Sequence, residues 1–356
     1  MIRAIQLIDS LDVGGAEVLA VNIANLLLKE NIESHLCVTR KEGLLKDKVS
    51  RNVNYLFLNR KSTFDFKAIL KLKNYIMKNN ISIIHAHASS SFIAFCVKLL
   101  MPKIKIVWHN HTGANINLNG VKLYAIKFQT LFFSFIINTN KDLNFWTTKK
   151  LKFKKSAYIS NFGLLSDERK LTTLNGKDGK RIVCLASLRK EKDHLILLKA
   201  FNLLINENKD WTLHLVGRNH KDEYAFLINN YIIKNNLEHL VFLYDTKPDI
   251  KNILSQATIG VLSSKSEGLP IALLEYGLAK LSVLVTDVGE CANVVEDLNG
   301  IVDSNNYLEF SKKLNRMINN KSLRTNISLS LYEKVKEEYS KERFTMKLIE
   351  IYKNLC

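Results

Sequence analysis

A chain of 356 residues is long for one ordinary hydrophobic core, and its 47% hydrophobic content is that of a globular protein, so general disorder is excluded and two domains of roughly 150–200 residues each are expected. The formal net charge of +18, from 52 basic and 34 acidic residues, is compatible with nucleic acid, an anionic membrane surface or a phosphorylated ligand. It is equally compatible with a coding bias toward Lys, Asn and Ile.

Five scattered cysteines (Cys37, Cys96, Cys184, Cys291 and Cys356), never in a C-x-x-C pair, argue against a disulfide framework and a zinc site and suit a reducing compartment. The start, "MIRAIQLIDSLDVGG", reads as a strand entering a glycine turn and not as a secretory signal. The most apolar windows, "FIAFCVKLLM" and "LFFSFII", fall short of the roughly 18 apolar residues that a spanning helix needs. A cytoplasmic protein is expected.

The first strand, "RAIQLID", runs into "DSLDVGGAEV", which places Gly14 and Gly15 at the N-terminus of the first helix. There a backbone without Cβ lets a ligand approach and free N–H groups meet an anion, although a βα turn also needs glycine for conformation alone. The strands "SHLCVT", "VNYLFL", "ISIIHAH", "KIVWHN" and "FIINTN" follow, separated by amphipathic helical segments such as "FDFKAILKLKNYIMKN". "KDLNFWTTKKLKFKKSAY" then packs six lysines into 141–155 around Phe145, Trp146 and Phe153, which suits either an anionic membrane surface or an ordinary solvated face.

A polar stretch without hydrophobic period, 164–180, is the expected linker. The strand–helix scheme then repeats with "RIVCLA", "WTLHLVG", "LVFLY", "IGVLSS" and "LSVLVTD". Such alternation predicts two doubly wound parallel α/β domains, with a ligand site in a cleft at the carboxyl ends of the strands. The expected division is 1–163, a linker at 164–180, 181–331, and one C-terminal helix over 332–356 packing back toward the first domain.

Two further segments of the second half carry chemistry. In "CLASLRKEKDHLILLKAF", Arg189 and Lys192 arrive at a helix N-terminus, where cations are disfavoured by the macrodipole unless they share an anion with it. A solvated basic loop is the alternative. In "SKSEGLPIALLEYG", Glu267 lies in a loop before a helix that starts near Leu269 or Pro270, and Glu275 lies within an otherwise apolar helix. A buried acid there needs a partner, and carboxylates suit vicinal sugar hydroxyls.

"GGAE", "ASLRKEKDH", "LHLVG" and "SEGLPIALLEYGLAKLSVLVTDVGE" together resemble, in order and over nearly the whole chain, the blocks of GT-B-fold retaining glycosyltransferases of family 4. The resemblance implies two Rossmann-like domains and transfer of a sugar from a nucleotide diphosphate, UDP favoured, without a metal or other cofactor. The absence of D-x-D fits metal independence. It further implies that Glu275 holds the donor ribose, that Glu267 bonds the donor sugar beside the amides of Gly268 and Leu269, and that Arg189 and Lys192 neutralise the diphosphate. Gly14 and Gly15 would line the phosphates and acceptor side, and His111 would approach the sugar's 6-hydroxyl, with His109 as the competing choice.

The implied setting is bacterial capsule, O-antigen or exopolysaccharide assembly on a lipid-linked acceptor, with peripheral contact at the inner face of the cytoplasmic membrane. An epimerase of the same architecture and a basic nucleic-acid-binding protein are the alternatives. The chain departs from the family at Ala186–Ser187, where G-R is common, at "SNFGLL", at Tyr276, where a small residue is usual, and at Asn293, where an acid is frequent.

Overall fold

The computed structural model describes residues 1–111, 113–167 and 169–356. The chain divides into two compact units, one of Met1–Asn161 with Glu342–Cys356 and one of Phe162–Lys341. The first unit contains β1 (Arg3–Ser10), α1 (Gly15–Leu27), β2 (Glu33–Lys41), β3 (Asn54–Phe57), α2 (Phe66–Lys78), β4 (Ile83–His87), α3 (Ser91–Leu100), β5 (Lys105–Asn110), α4 (Gly120–Thr130), β6 (Phe135–Asn138), α5 (Lys141–Lys149) and β7 (Ser156–Tyr158). The second contains β8 (Arg181–Leu185), α6 (His194–Leu204), β9 (Thr212–Val216), α7 (Glu223–Lys234), β10 (Val241–Tyr244), α8 (Ile250–Ser255), β11 (Ile259–Leu262), α9 (Ile271–Leu278), β12 (Ser282–Thr286), α10 (Cys291–Val295), β13 (Ile301–Val302), α11 (Tyr307–Asn319) and α12 (Lys321–Glu338). The last helix, α13 (Lys341–Leu355), belongs almost entirely to the first.

Both sheets are parallel, ordered β3-β2-β1-β4-β5-β6-β7 and β10-β9-β8-β11-β12-β13. In each, the order reverses beside the first strand, between β1 and β4 and between β8 and β11, and the crevice at the carboxyl ends of such a pair is where doubly wound sheets bind ligands. The strands β4, β9, β11 and β12 are buried along their whole length, as parallel strands covered on both faces must be.

Two expectations are corrected. The residues 332–356 form not one helix but the end of α12 and all of α13, with a break at Tyr339–Ser340. Ser340, a residue type that favours helix N-caps, directly precedes α13, and Glu342 lies in its first turn. Nor is 164–180 a free linker. The crossing between units falls at Asn161–Phe162, ahead of it, and the buried Asp249 carboxylate accepts hydrogen bonds from Leu171 N, Thr172 N and Thr172 Oγ1, each at 2.8 Å. Burial would raise the pKa of Asp249, but these bonds and one from Asn252 outweigh it and hold it at about 2. Glu168, within this stretch, lies outside the described residues.

Tyr276, the departure from the family pattern, is wholly buried and inserts between β8 and β11. A Cβ on Gly260 of β11 would lie 2.6 Å from its ring, so the missing side chain of Gly260 is the slot that the tyrosine fills. Its hydroxyl accepts from Leu185 N at 2.7 Å and donates to Val261 O at 3.3 Å. The β8–β11 pairing is confined to Ile182–Ile259 and Val183–Gly260, and beyond it the phenol bridges the two strands. Tyr276→Phe therefore leaves the partly buried Leu185 N–H without its acceptor and should cost about 1–3 kcal/mol in urea unfolding. A change below about 0.5 kcal/mol, the range of neutral surface substitutions, would show that the hydroxyl holds nothing.

Candidate active site

At the carboxyl edge of the second sheet, four loops are stitched together. The turn after β8 ends in a short 3₁₀ segment, Lys190–Lys192, and Asp193 (φ 46°) takes the left-handed conformation that redirects the chain into α6. Ser263 Oγ donates to the carbonyls of Lys192 and Asp193, both at 3.1 Å, and Lys265 N donates to Glu191 O at 2.8 Å, so the loop after β11 is clipped to that turn. Gly217, after β9 at φ 156°, lies so near that a Cβ would sit 2.2 Å from Ala186 O. The adjacent Arg218 carbonyl accepts from Leu188 N at 3.0 Å.

The fourth loop follows β12. Gly289 has φ 57°, and a Cβ there would meet the carbonyl oxygens of Glu267 and Gly268, each at 2.4 Å. Glu290 N donates to Gly268 O at 2.9 Å. The "TDVGE" strand end and the "SEGLP" loop are thus one bonded unit, and only glycine fits at their contact.

This frame holds Glu267 and Lys192 in direct contact. Lys192 Nζ lies 2.6 and 2.8 Å from the two carboxylate oxygens, and Ser264 Oγ donates to one of them at 2.6 Å. Glu267 is almost fully buried, while Lys192 keeps a quarter of its side chain in solvent. Gly268 and the buried Leu269 complete the loop into α9, which starts at Ile271 with Pro270 as its extended N-cap.

Glu275 lies in the second turn of α9, half-buried, and no hydrogen bond or ion pair reaches its carboxyl among the described residues. Burial pushes its pKa up from 4.5 to about 8. The structure does not join Arg189 to the Lys192–Glu267 pair. Its guanidinium is half-exposed, its Nε donates to His220 Nε2 at 3.2 Å, and Glu191 lies 3.8 Å away. Burial, then Arg189 and Arg218, lower the pKa of His220, so three basic groups crowd together. Ser264, Gly289, His220 and Arg218 were missed in the sequence. The glycine before Arg218 was the visible signal for the last two.

In the first unit, Gly14 is the extended N-cap of α1 and Gly15 its first residue. The Glu17 carboxylate folds over Gly14, an oxygen lying 2.4 Å from where a Cβ would be, so the positive helix end faces an acid of its own chain. His111 is the first residue beyond β5 and half-buried, whereas His109 is fully buried within the strand.

Residues 167–333 match the family model described as Glycosyl transferases group 1, and residues 13–143 match the model Glycosyltransferase Family 4. The chain belongs to glycosyltransferase family 4. This glycosyltransferase is 27% identical over 325 residues, 86% of its own length and 87% of the relative's, to the O-antigen biosynthesis glycosyltransferase WbnH of Escherichia coli. It is 25% identical over 358 residues, 95% and 94% of the two chains, to the uncharacterized glycosyltransferase MJ1178 of Methanocaldococcus jannaschii. Its fold is that of Anabaena Alr3699/HepE, solved in complex with UDP and glucose, at a TM-score of 0.83 and 14% identity over 99% of this chain and 100% of that one. The architecture is GT-B.

The raised pKa of Glu275 sets a pH dependence. The unfolded carboxyl ionises near 4.5 while the folded one stays protonated to about 8. The ligand-free protein should therefore be most stable below pH 4.5 with respect to this group, lose stability as pH rises toward 8, and lose no more above it. Glu275→Gln should remove that slope, so that variant and wild type diverge between pH 5 and 8 in thermal unfolding. Parallel curves would place the carboxyl in water.

Proposed function

We propose that this glycosyltransferase is retaining and metal-independent, and that it moves a sugar from a UDP-sugar to a lipid-linked glycan during bacterial surface-polysaccharide assembly. The observation that carries this reading is the pairing of a half-buried carboxyl with no partner among the described residues, Glu275, with a clamped one, Glu267, across the start of α9. A buried acid without a partner is costly, and vicinal ribose hydroxyls would supply one. Glu267 would then bond the transferred sugar with support from the amides near Gly268 and Leu269. Lys192, and Arg189 with His220 and Arg218 nearby, would neutralise the diphosphate. By the family pattern, Gly14 and Gly15 would face the phosphates and acceptor and His111 the sugar.

In the front-face route, the bond between the anomeric carbon and the diphosphate oxygen breaks as the acceptor oxygen bonds the same face. The acceptor proton passes to a diphosphate oxygen, and the nucleotide diphosphate leaves. Fixed charges and positioning would carry the rate. A glutamate nucleophile would require two carboxyls about 5 Å apart across the scissile bond. O-antigen assembly is the role named for the relative WbnH, and binding of UDP and glucose is the property of Alr3699/HepE.

Membrane contact is supported by the outer face of α4. Val121, Tyr124 and Phe128, with Leu131 just beyond, are exposed at helical spacing, and Lys122 is exposed beside them. In 141–155, Phe145 is exposed among lysines, while Trp146 is buried and Phe153 packs on the core. An apolar stripe edged by lysines suits an anionic leaflet. No helix among the described residues is long and apolar enough to cross a membrane.

Glu267→Ala should cut turnover of the donor by 10²-fold or more while leaving affinity for the bare nucleotide within a few-fold, whereas Glu275→Ala should weaken the nucleotide itself. The anomeric configuration of the product, read by NMR, should match that of the donor. Donor consumption at equal rate without any acceptor would favour the epimerase, and equal indifference to both substitutions would remove the site. For the surface, Phe128→Asp should abolish flotation with phosphatidylglycerol vesicles and leave donor turnover on a soluble acceptor unchanged. Unchanged flotation would reject this face.

A further inference from the structure

Four of the nine histidines stand together on one face of the first sheet. His85 and His87 alternate along β4, and His109 lies beside them on β5, where His87 and His109 pair in register, with His111 two residues on. The rings form two edge-to-edge pairs. His85 Nε2 faces His109 Nδ1 at 3.2 Å, and His87 Nδ1 faces His111 Nε2 at 3.0 Å. One end of each pair is tied to Gln6 or Tyr352. Tyr352 Oη meets His85 Nδ1 at 2.7 Å, Gln6 Oε1 meets His87 Nε2 at 2.9 Å, and Gln6 Nε2 donates to Tyr352 Oη at 3.1 Å.

His85, His87 and His109 are close enough to crowd a cation. The geometry argues for protons instead. A metal between in-line ring nitrogens, bonded at about 2.0–2.1 Å to each, needs roughly 4 Å between them. The observed gaps fit an N–H···N bond. Burial holds all four rings far below their usual pKa, His85 and His111 at about 3, so each is neutral and carries one proton.

In an unbranched chain of neutral groups, one orientation dictates all the others. With the Gln6 amide assigned so that its oxygen faces His87, His87 carries its proton on Nε2 and accepts at Nδ1, and His111 donates from Nε2. The Gln6 amide donates to Tyr352, whose hydroxyl proton goes to His85 Nδ1. His85 then donates from Nε2 to His109 Nδ1. His109 is left with a buried Nε2–H that has no acceptor. Turning the Gln6 amide over would reverse every ring.

We propose that Gln6 and Tyr352 are positioning residues that hold His111 in a single tautomer, protonated on Nε2, so that its Nδ1 lone pair accepts a hydrogen bond from a hydroxyl of the transferred sugar. This rests on the assignment of His111 to the donor sugar made above. His111 Nδ1 has no partner among the described residues, and His111 is the one member of the cluster that is not fully buried. Tyr352, the link between Gln6 and His85, comes from α13, which gives the C-terminal helix a part in the chemistry of the first sheet.

The test is ¹⁵N NMR of the imidazoles in the ligand-free full chain, with His111 assigned by its substitution. Wild type should show His111 Nε2 protonated and Nδ1 bare. Gln6→Met frees the His87–His111 pair and should average the two nitrogens, and Tyr352→Phe should do the same more weakly. With UDP-glucose as probe, Gln6→Met should lower kcat/KM by 10-fold or more while UDP alone binds as in wild type. A proton on His111 Nδ1 in wild type, or tautomers unmoved in both variants, would overturn the proposal. Should wild type bind neither UDP nor UDP-glucose, the donor-site reading fails, while the NMR result still decides the network.

Discussion

A lysine and a glutamate 75 positions apart, Lys192 and Glu267, meet at the carboxyl edge of the second sheet, and the loops around them exist in the form needed to make that contact. Three glycines make it possible. Gly217 lets the β9 turn lie on the β8 turn, Gly289 lets the β12 turn lie on the Glu267 loop, and Gly260 opens the slot for Tyr276 beneath. The pair is an ion pair of unequal burial. The glutamate is removed from water, and the lysine can still turn toward a ligand. A charge buried in this way is stable only while its partner or a replacement is present.

Against that satisfied pair, Glu275 is a carboxyl of the second unit without a partner among the described residues. Its neighbours in α9, Leu273, Leu274 and Tyr276, are core residues, and no described residue bonds to its carboxyl. The two acids therefore differ in kind although they share one short motif. One is neutralised within the protein, and the other is held largely protonated by burial. The first unit shows the same economy with neutral groups, where an amide and a phenol fix the protons of four imidazoles.

Much of this was legible in the sequence because parallel strands announce themselves as short apolar runs between amphipathic helices. Eleven runs read as strands all became strands. The two that were not read, β7 and β13, are three and two residues long at sheet edges, too short for any period to register. The break at Tyr339–Ser340 went unread because the apolar spacing continues through it, and the partner that receives α13 lies more than 230 residues back. At the site, the motif glutamates and Lys192 were visible as residue types, but their pairing was not, since it depends on loop closures set by Gly217 and Gly289. The alternation in "IHAH" and "HNH" did signal four histidines on one face, yet their tie to Gln6 and Tyr352 is purely tertiary.

In the function proposed above, the second unit binds a nucleotide diphosphate through Glu275 without a metal. Thermal unfolding of wild type and Glu275→Ala in EDTA, with UDP, with GDP and with neither, tests it most directly. A nucleotide at about 100 times its dissociation constant stabilises by roughly 2.7 kcal/mol. UDP in EDTA should shift the wild-type transition and leave that of the variant unmoved. A shift that requires a divalent ion, or one that Glu275→Ala leaves intact, would contradict it.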